Sequence, residues 1–198
     1  MSEPLNAAAS RAIEGRASFS LSNRIVRVGW GIAWLVFARF TPPPLHAWRR
    51  LVLRAFGARV GRGARVHASV AIWLPRNLEL GEQVLIGPGA RLYNQGTIKI
   101  GAWSVISQRA HLCASTHRVD DADFQLECRP IALGERCWVA TEAFVGPGVT
   151  MGDGAVLGAR AALFESAAAD GIYRGNPASL VRQRKRRHGP LLSGMPFE

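Results

Sequence analysis

The chain has 198 residues, with 48% apolar and 20% charged residues, which suits one folded domain with its own core. Three cysteines, Cys113, Cys128 and Cys137, are too few for a disulfide scaffold, and the lack of a C-x-x-C pair argues against a zinc cluster. The net charge of +11 sits at the ends, with +6 over residues 1–56, +4 over 179–198 and +1 between; a nearly neutral middle excludes a nucleic-acid-binding surface, which needs basic residues and stacking aromatics on the folded face.

Residues 1–17 are mixed and polar, and predict no signal peptide. The segment Asn23 to Phe40 reads as a helix. Its apolar run, Val28 to Ala38, is shorter than the roughly 20 residues that span a bilayer. Two readings stay open for it. Trp30, Trp34 and the flanking Arg27 and Arg39 suit a membrane interface. The same pattern suits a helix that covers the end of the main domain. Pro42-Pro43-Pro44 ends this helix. Leu45 to Phe56 reads as a second one, stopped by Gly57. Residues 1–57 thus form an N-terminal helical segment.

From residue 58 to 165 a six-residue repeat dominates. The aliphatic positions run Val60, Val66, Ile72; Leu80, Ile86, Leu92; Ile100, Ile106, Leu112; then, after a gap, Leu133, Val139, Val145; Met151, Leu157, Leu163. A small residue often follows each, as at Gly81, Gly101, Gly134 and Gly152. Six residues rotate an α-helix by about 600°, so these aliphatics share no helical face. They fit a three-sided coil with one short strand per side, whose units bury themselves only by stacking. The fold class is therefore an all-β core, a parallel β-helix of hexapeptide repeats.

The repeat is broken once, over residues 113–132. The insert is polar and acidic, and must leave the coil as a loop. Long loops on rigid scaffolds carry function. Beyond the coil, Ala178 to Arg187 reads as a short basic helix and Gly189 to Glu198 as a tail, so 166–198 forms a C-terminal segment.

Several of these features together resemble one family. They are the hexads, the loop opening Ser115-Thr116-His117, the pair Trp138-Val139, the run Val145 to Gly152, and Gly175-Asn176-Pro177-Ala178. The combination is similar to the hexapeptide-repeat acyltransferases, in particular the colanic acid biosynthesis acetyltransferase group. That group is kin to the maltose, galactoside and nodulation O-acetyltransferases. The resemblance runs from about Phe19 to Arg187. It implies a left-handed coil, a homotrimer with sites between subunits, and direct transfer from acetyl-CoA to a saccharide hydroxyl without a metal. It implies that His117 is the base, since an alcohol is a poor nucleophile until a neutral imidazole takes its proton. It also implies that the Thr141 N–H meets the oxyanion. Trp138, Ala140, Gly158, Ala159, Asn176, Pro177 and Arg182 would line the cofactor groove, with Arg182 on a phosphate.

Departures from the family pattern leave points open. The loop reads His117-Arg118, where relatives continue with Asp or Pro. The partner that orients the imidazole is Asp120, Asp121, Asp123 or a backbone carbonyl. Asn94 either lines the acceptor pocket or serves as a turn residue. His111 reads as a wall or surface residue, and His46, His67 and His188 as structural or exposed. The expected activity is saccharide O-acetylation in exopolysaccharide or cell-surface glycan synthesis. A cytoplasmic location is expected, with possible peripheral contact at the inner face of the membrane. The alternatives are a non-sugar acceptor, such as serine or an antibiotic alcohol, and a non-catalytic scaffold.

Overall fold

The computed structural model describes residues 3–10 and 14–185. Parallel strands stack into a coil of about six turns with three flanks. The first flank holds Arg59–Val60, Leu78–Leu80, Ile98–Ile100, Ile131–Leu133 and Thr150–Met151. The second holds Arg65–Val66, Leu85–Ile86, Val105–Ile106, Trp138–Val139, Val156–Leu157 and Gly171–Gly175, and the third holds Ala71–Ile72, Arg91–Tyr93, His111–Cys113, Phe144–Val145 and Ala162–Leu163.

All fifteen aliphatic positions named above are buried, none more than 8% exposed. They form one continuous cluster along the coil axis. Arg59 lies beside Glu79 in register, and Glu79 beside Lys99, so the early turns repeat every twenty residues. Ala132 lies beside Thr150, so the later turn repeats every eighteen.

The small residue after each aliphatic has a specific cause. A Cβ on Gly101 would stand 2.4 Å from the Gly134 carbonyl carbon, and one on Gly81 would stand 2.6 Å from the Ala102 nitrogen. Successive turns approach too closely there for any side chain. The left-handed backbone of the corner falls two residues later, at Gln83, Trp103, Arg109, Arg136, Glu142 and Arg160, and at Gly63, Gly89, Gly148 and Gly154 of other corners. The two demands thus fall on different residues.

Helix α1 is a single turn, Ala7–Ser10. Helix α2 spans Leu21–Phe37, with the Ser20 hydroxyl accepting from the Asn23 N–H at 3.3 Å. Helix α3 spans His46–Ala55. Together α2 and α3 cover the first turn of the coil, where Trp30, Trp34, Val52 and Leu53 join the same cluster as Val60 and Val66. This capping seals apolar surface that a solenoid end would otherwise expose. The two tryptophans also pin the cap: Trp30 Nε1 donates to the Ile72 carbonyl at 2.8 Å, and Trp34 Nε1 to the Ala68 carbonyl at 3.2 Å.

The other end of the coil differs from the sequence expectation. Ala178–Gln183 is not a helix but a strand, antiparallel to Gly171–Gly175 across the Asn176-Pro177 turn. Gly171–Gly175 itself pairs in parallel with Val156–Leu157, so the coil runs on past residue 165. An open sheet edge offers unpaired backbone groups, and a tight turn delivers the chain back onto them. Pairing there outweighs weak local helix propensity. The rest of the expected helix, from residue 186, and His188 lie outside the described residues.

Arg49 ties cap to coil. It is wholly buried, yet it faces no carboxylate among the described residues. Its Nε donates to the Val66 carbonyl at 2.6 Å. Its Nη1 donates to the Thr41 hydroxyl at 2.7 Å and the Pro42 carbonyl at 3.0 Å, and its Nη2 to the Pro43 carbonyl at 2.6 Å. The rigid fork thus gathers the proline link and the first coil around α3. His46 Nδ1 lies 2.9 Å from Nη2 as well. Burial pulls the pKa of His46 down, with the Arg49 charge adding to it, and His67 is lowered for the same reasons.

Two predictions follow from this cap. Arg49→Ala strands several buried acceptors and should cost about 3–4 kcal/mol in denaturant unfolding, with Arg49→Lys rescuing little of it. Both histidines are lowered in the fold, so below about pH 6.5 the unfolded chain binds protons that the folded chain refuses. Stability should be full above that pH and fall as pH drops from 7 to 5. A His46→Gln/His67→Gln variant should show a flatter Tm profile over the same range.

Candidate functional site

The interruption of the repeat is a β-hairpin. Ser115–His117 pairs antiparallel with Leu126–Cys128, placing His117 opposite Leu126. The hairpin is tied at its base by Arg129 N–H to the Ala114 carbonyl, 3.0 Å, after which the coil resumes at Ile131. Its tip is closed by an Arg118 N–H bond to the Gln125 carbonyl and by the Asp121 carboxylate, which accepts from the Asp123 N–H at 2.8 Å. The N-terminal segment leans on it too, since the Gln125 amide accepts from the Ala7 N–H and donates to the Leu5 carbonyl.

His117 is held in two ways. Its ring stacks on Phe124 with centroids 4.4 Å apart and planes 14° off parallel. Its Nδ1 lies 2.7 Å from the Phe124 carbonyl. A carbonyl only accepts, so Nδ1 carries the proton and Nε2 keeps its lone pair. The orienting partner is therefore a backbone carbonyl, and the acidic residues of the loop shape its tip instead.

His117 lines a cavity of about 270 Å³ with Trp73, Tyr93, Gln95, Arg24 and Arg27. Gln95 is 6% exposed, and its Nε2 donates to the Tyr93 hydroxyl at 2.7 Å. Its Oε1 is buried without a partner among the described residues. A larger apolar groove of about 820 Å³ adjoins this cavity, sharing Arg24, Arg27, Trp73 and Tyr93 with it. Helix α2 forms one wall and the third flank the other. His111 lies in that wall, edge-on to Phe144 at 5.4 Å, as expected of a wall residue.

Neither α2 nor the aromatic pair belongs to the site residues proposed from sequence. A signal for the pair was present. Trp73 and Tyr93 follow Ile72 and Leu92, at positions that elsewhere mostly hold Gly or another small residue. Bulk at that place cannot enter the coil, so it must line an outer wall. The contribution of Arg24 and Arg27 had no such signal, because it depends on how α2 docks.

The other proposed residues lie on a different flank. Trp138 is half exposed and donates from Nε1 to the Ser107 hydroxyl at 2.9 Å. It lines a second cavity, of about 510 Å³, with Ile172, Arg182, Arg184 and Lys185. Ala140 is buried, and its N–H donates to the Leu157 carbonyl. The Thr141 carbonyl accepts from the Arg160 N–H, while the Thr141 N–H donates to no group among the described residues. Gly158 is crowded from outside by Arg174 and Tyr173, and Ala159 beside it is exposed. Asn176 and Pro177 are exposed in the terminal turn. His117 and Trp138 line two different cavities.

Asn94 does not line either cavity. Its side chain is wholly buried, and its amide is spent on the backbone: Oδ1 accepts from the Trp73 and Leu74 N–H groups at 3.0 and 3.1 Å, and Nδ2 donates to the Leu74 carbonyl at 2.6 Å. Of its two open readings, the structural one holds. It fixes the corner that carries Trp73.

No protein-family model matches the chain. An Escherichia coli (strain K12) protein named as a colanic acid biosynthesis acetyltransferase, WcaF, is 43% identical over 159 residues, which is 80% of this chain and 87% of that one. The chain belongs to the hexapeptide-repeat acetyltransferases. Two solved structures carry the same fold. A maltose O-acetyltransferase from Clostridium difficile 630 superposes with a TM-score of 0.77 at 19% identity, covering 84% of this chain and 90% of that one. A galactoside acetyltransferase in complex with coenzyme A superposes with a TM-score of 0.77 at 20% identity, covering 91% and 92%. The coil of this acetyltransferase is thus left-handed, and its hairpin is the sole break in the described hexad ladder.

The Asn94 assignment is checked by Asn94→Ala. Two buried N–H groups then lose their acceptor, which should cost about 3 kcal/mol and lower Tm by about 6–12 °C. An acceptor KM unchanged in the folded fraction distinguishes this role from contact with substrate.

Proposed function

We propose that the protein transfers an acetyl group from acetyl-CoA to a hydroxyl of a saccharide, in exopolysaccharide or cell-surface glycan synthesis. One observation carries the reading: His117 donates through Nδ1 to a fixed carbonyl, which leaves Nε2 as a base beside a polar, aromatic cavity. The exposed Tyr93 ring offers a flat apolar face of the kind that sugar rings stack on. The unpartnered Gln95 Oε1 seeks a hydrogen-bond donor, and a sugar hydroxyl supplies one.

The chemistry follows from these groups. Nε2 takes the proton of the acceptor hydroxyl as its oxygen attacks the thioester carbonyl carbon. The tetrahedral oxyanion is met by the free Thr141 N–H. Collapse breaks the carbon–sulfur bond, and the imidazolium returns its proton to the departing CoA thiolate. The acceptor leaves as an ester. No acyl-enzyme is needed, so both substrates must be present together.

The donor lies along the second flank in this reading. The cavity of Trp138 and Ile172 receives the pantetheine arm, Gly158 and Ala159 form its floor, and Asn176 and Pro177 shape its exit. Arg182, Arg184 and Lys185 set three cations at one side of it, matched to the CoA phosphates. His117 and this groove belong to different cavities, so a complete site needs two subunits. A homotrimer, with His117 of one subunit facing the Trp138 groove of the next, supplies that. The enzyme works in the cytoplasm, where acetyl-CoA is made, at the inner face of the membrane.

The test is CoA release with acetyl-CoA and a panel of glycan acceptors, paired with mass spectrometry of the cell-surface polysaccharide with and without the protein. The expected difference is one acetyl group per acetylated residue. His117→Gln should lower kcat/KM by roughly 10²–10⁴-fold while acetyl-CoA affinity holds. Gln95→Leu should raise acceptor KM about tenfold with little change in kcat. Full turnover by the His117 variant with every acceptor would sink the assignment.

A further inference from the structure

Helix α2 has two faces, and only one meets the protein. Asn23, Trp30, Ala33 and Trp34 are buried. Leu21, Ile25, Val28, Ile32 and Val36 stand three or four residues apart on the opposite side, all between 59% and 66% exposed. That spacing makes one continuous stripe along the helix. Phe40, 82% exposed, extends it past the helix end. Packing within the chain does not account for an apolar strip of this length on a solvent face.

The charge around the stripe is of one sign. Residues 15–78 contain eleven arginines and no aspartate or glutamate. Arg24 and Arg39 are exposed near either end of α2. An amphipathic helix with an apolar face and purely basic surroundings is the composition that lies in the interface of an anionic bilayer: the apolar face enters the acyl boundary and the cations meet lipid phosphates. The helix has 17 residues, and no helix among the described residues is long and apolar enough to cross a membrane.

We propose that the exposed face of α2 docks the enzyme onto the surface of an anionic phospholipid bilayer, with the helix lying in the plane of the interface. A second copy is a poorer match for this face. Pairing it with itself would set arginines against identical arginines in a region that has no carboxylate to relieve them. Docking also has a consequence for the site. Val28 and Gly31 of α2 line the groove that leads to His117, so the mouth of that groove comes to rest at the lipid surface.

The experiment is co-sedimentation of the full chain with vesicles of phosphatidylglycerol and phosphatidylethanolamine, against vesicles of phosphatidylcholine alone. The protein should pellet with the anionic vesicles, and its partitioning should fall about tenfold or more on neutral vesicles or in high salt. Ile25→Asp/Ile32→Asp should abolish pelleting, with Tm and the mass by light scattering unchanged. A wild-type chain that stays in the supernatant with anionic vesicles overturns the proposal. So does a double variant that keeps its Tm but loses its assembly mass, since the stripe would then be a contact between copies.

Discussion

Everything in this structure depends on the close stacking of successive turns. Each hexad places its aliphatic residue on the axis, and the backbone bonds of one turn are made by the next. The turns approach so closely after Leu80 and Ile100 that Gly81 and Gly101 have no room for a Cβ. A coil held this way cannot stretch to absorb extra residues. Extra chain must be expelled at a corner, and it must close its own hydrogen bonds outside. The 115–128 hairpin meets both conditions, and it carries His117 on a base fixed by the coil at Ala114 and Arg129. Rigid stacking is thus what gives a long insertion a fixed base.

The ladder of aliphatics was legible because its period is a direct image of the core. The break at Leu112 was legible for the same reason. Less visible was anything decided between distant elements. Ala178–Gln183 has local preferences that allow a helix, and an unpaired sheet edge decided otherwise. The acidic loop offered three carboxylates for the imidazole, yet a carbonyl seven residues away took the place, because the hairpin turns Phe124 under the ring. Asn94 sits in the segment Tyr93-Asn94-Gln95-Gly96, which also reads as a turn. Only the neighbouring turn of the coil, arriving twenty residues earlier with Trp73 and Leu74, shows why the amide is buried.

The placement of the site residues carries its own argument about assembly. His117 opens onto the wall between α2 and the third flank, whereas Trp138 and Arg182 lie on the second. The two sets of groups therefore face different sides of the coil. In the proposed reading, where base and donor groove form one site, two copies meet to complete it.

The N-terminal helices then do more than close the coil. Trp30 and Trp34 bury one side of α2, and the bonds they donate fix its height over the third flank. That height leaves an apolar groove beneath the helix, with Arg24 and Arg27 where it meets the polar cavity of His117. Arg27 is itself held over the Trp73 ring, 4.3 Å from its centroid. Apolar groove, cation and imidazole thus follow one another in a line. A helix that served only as a cap would have no reason to keep its outer face apolar and its flanks free of carboxylates.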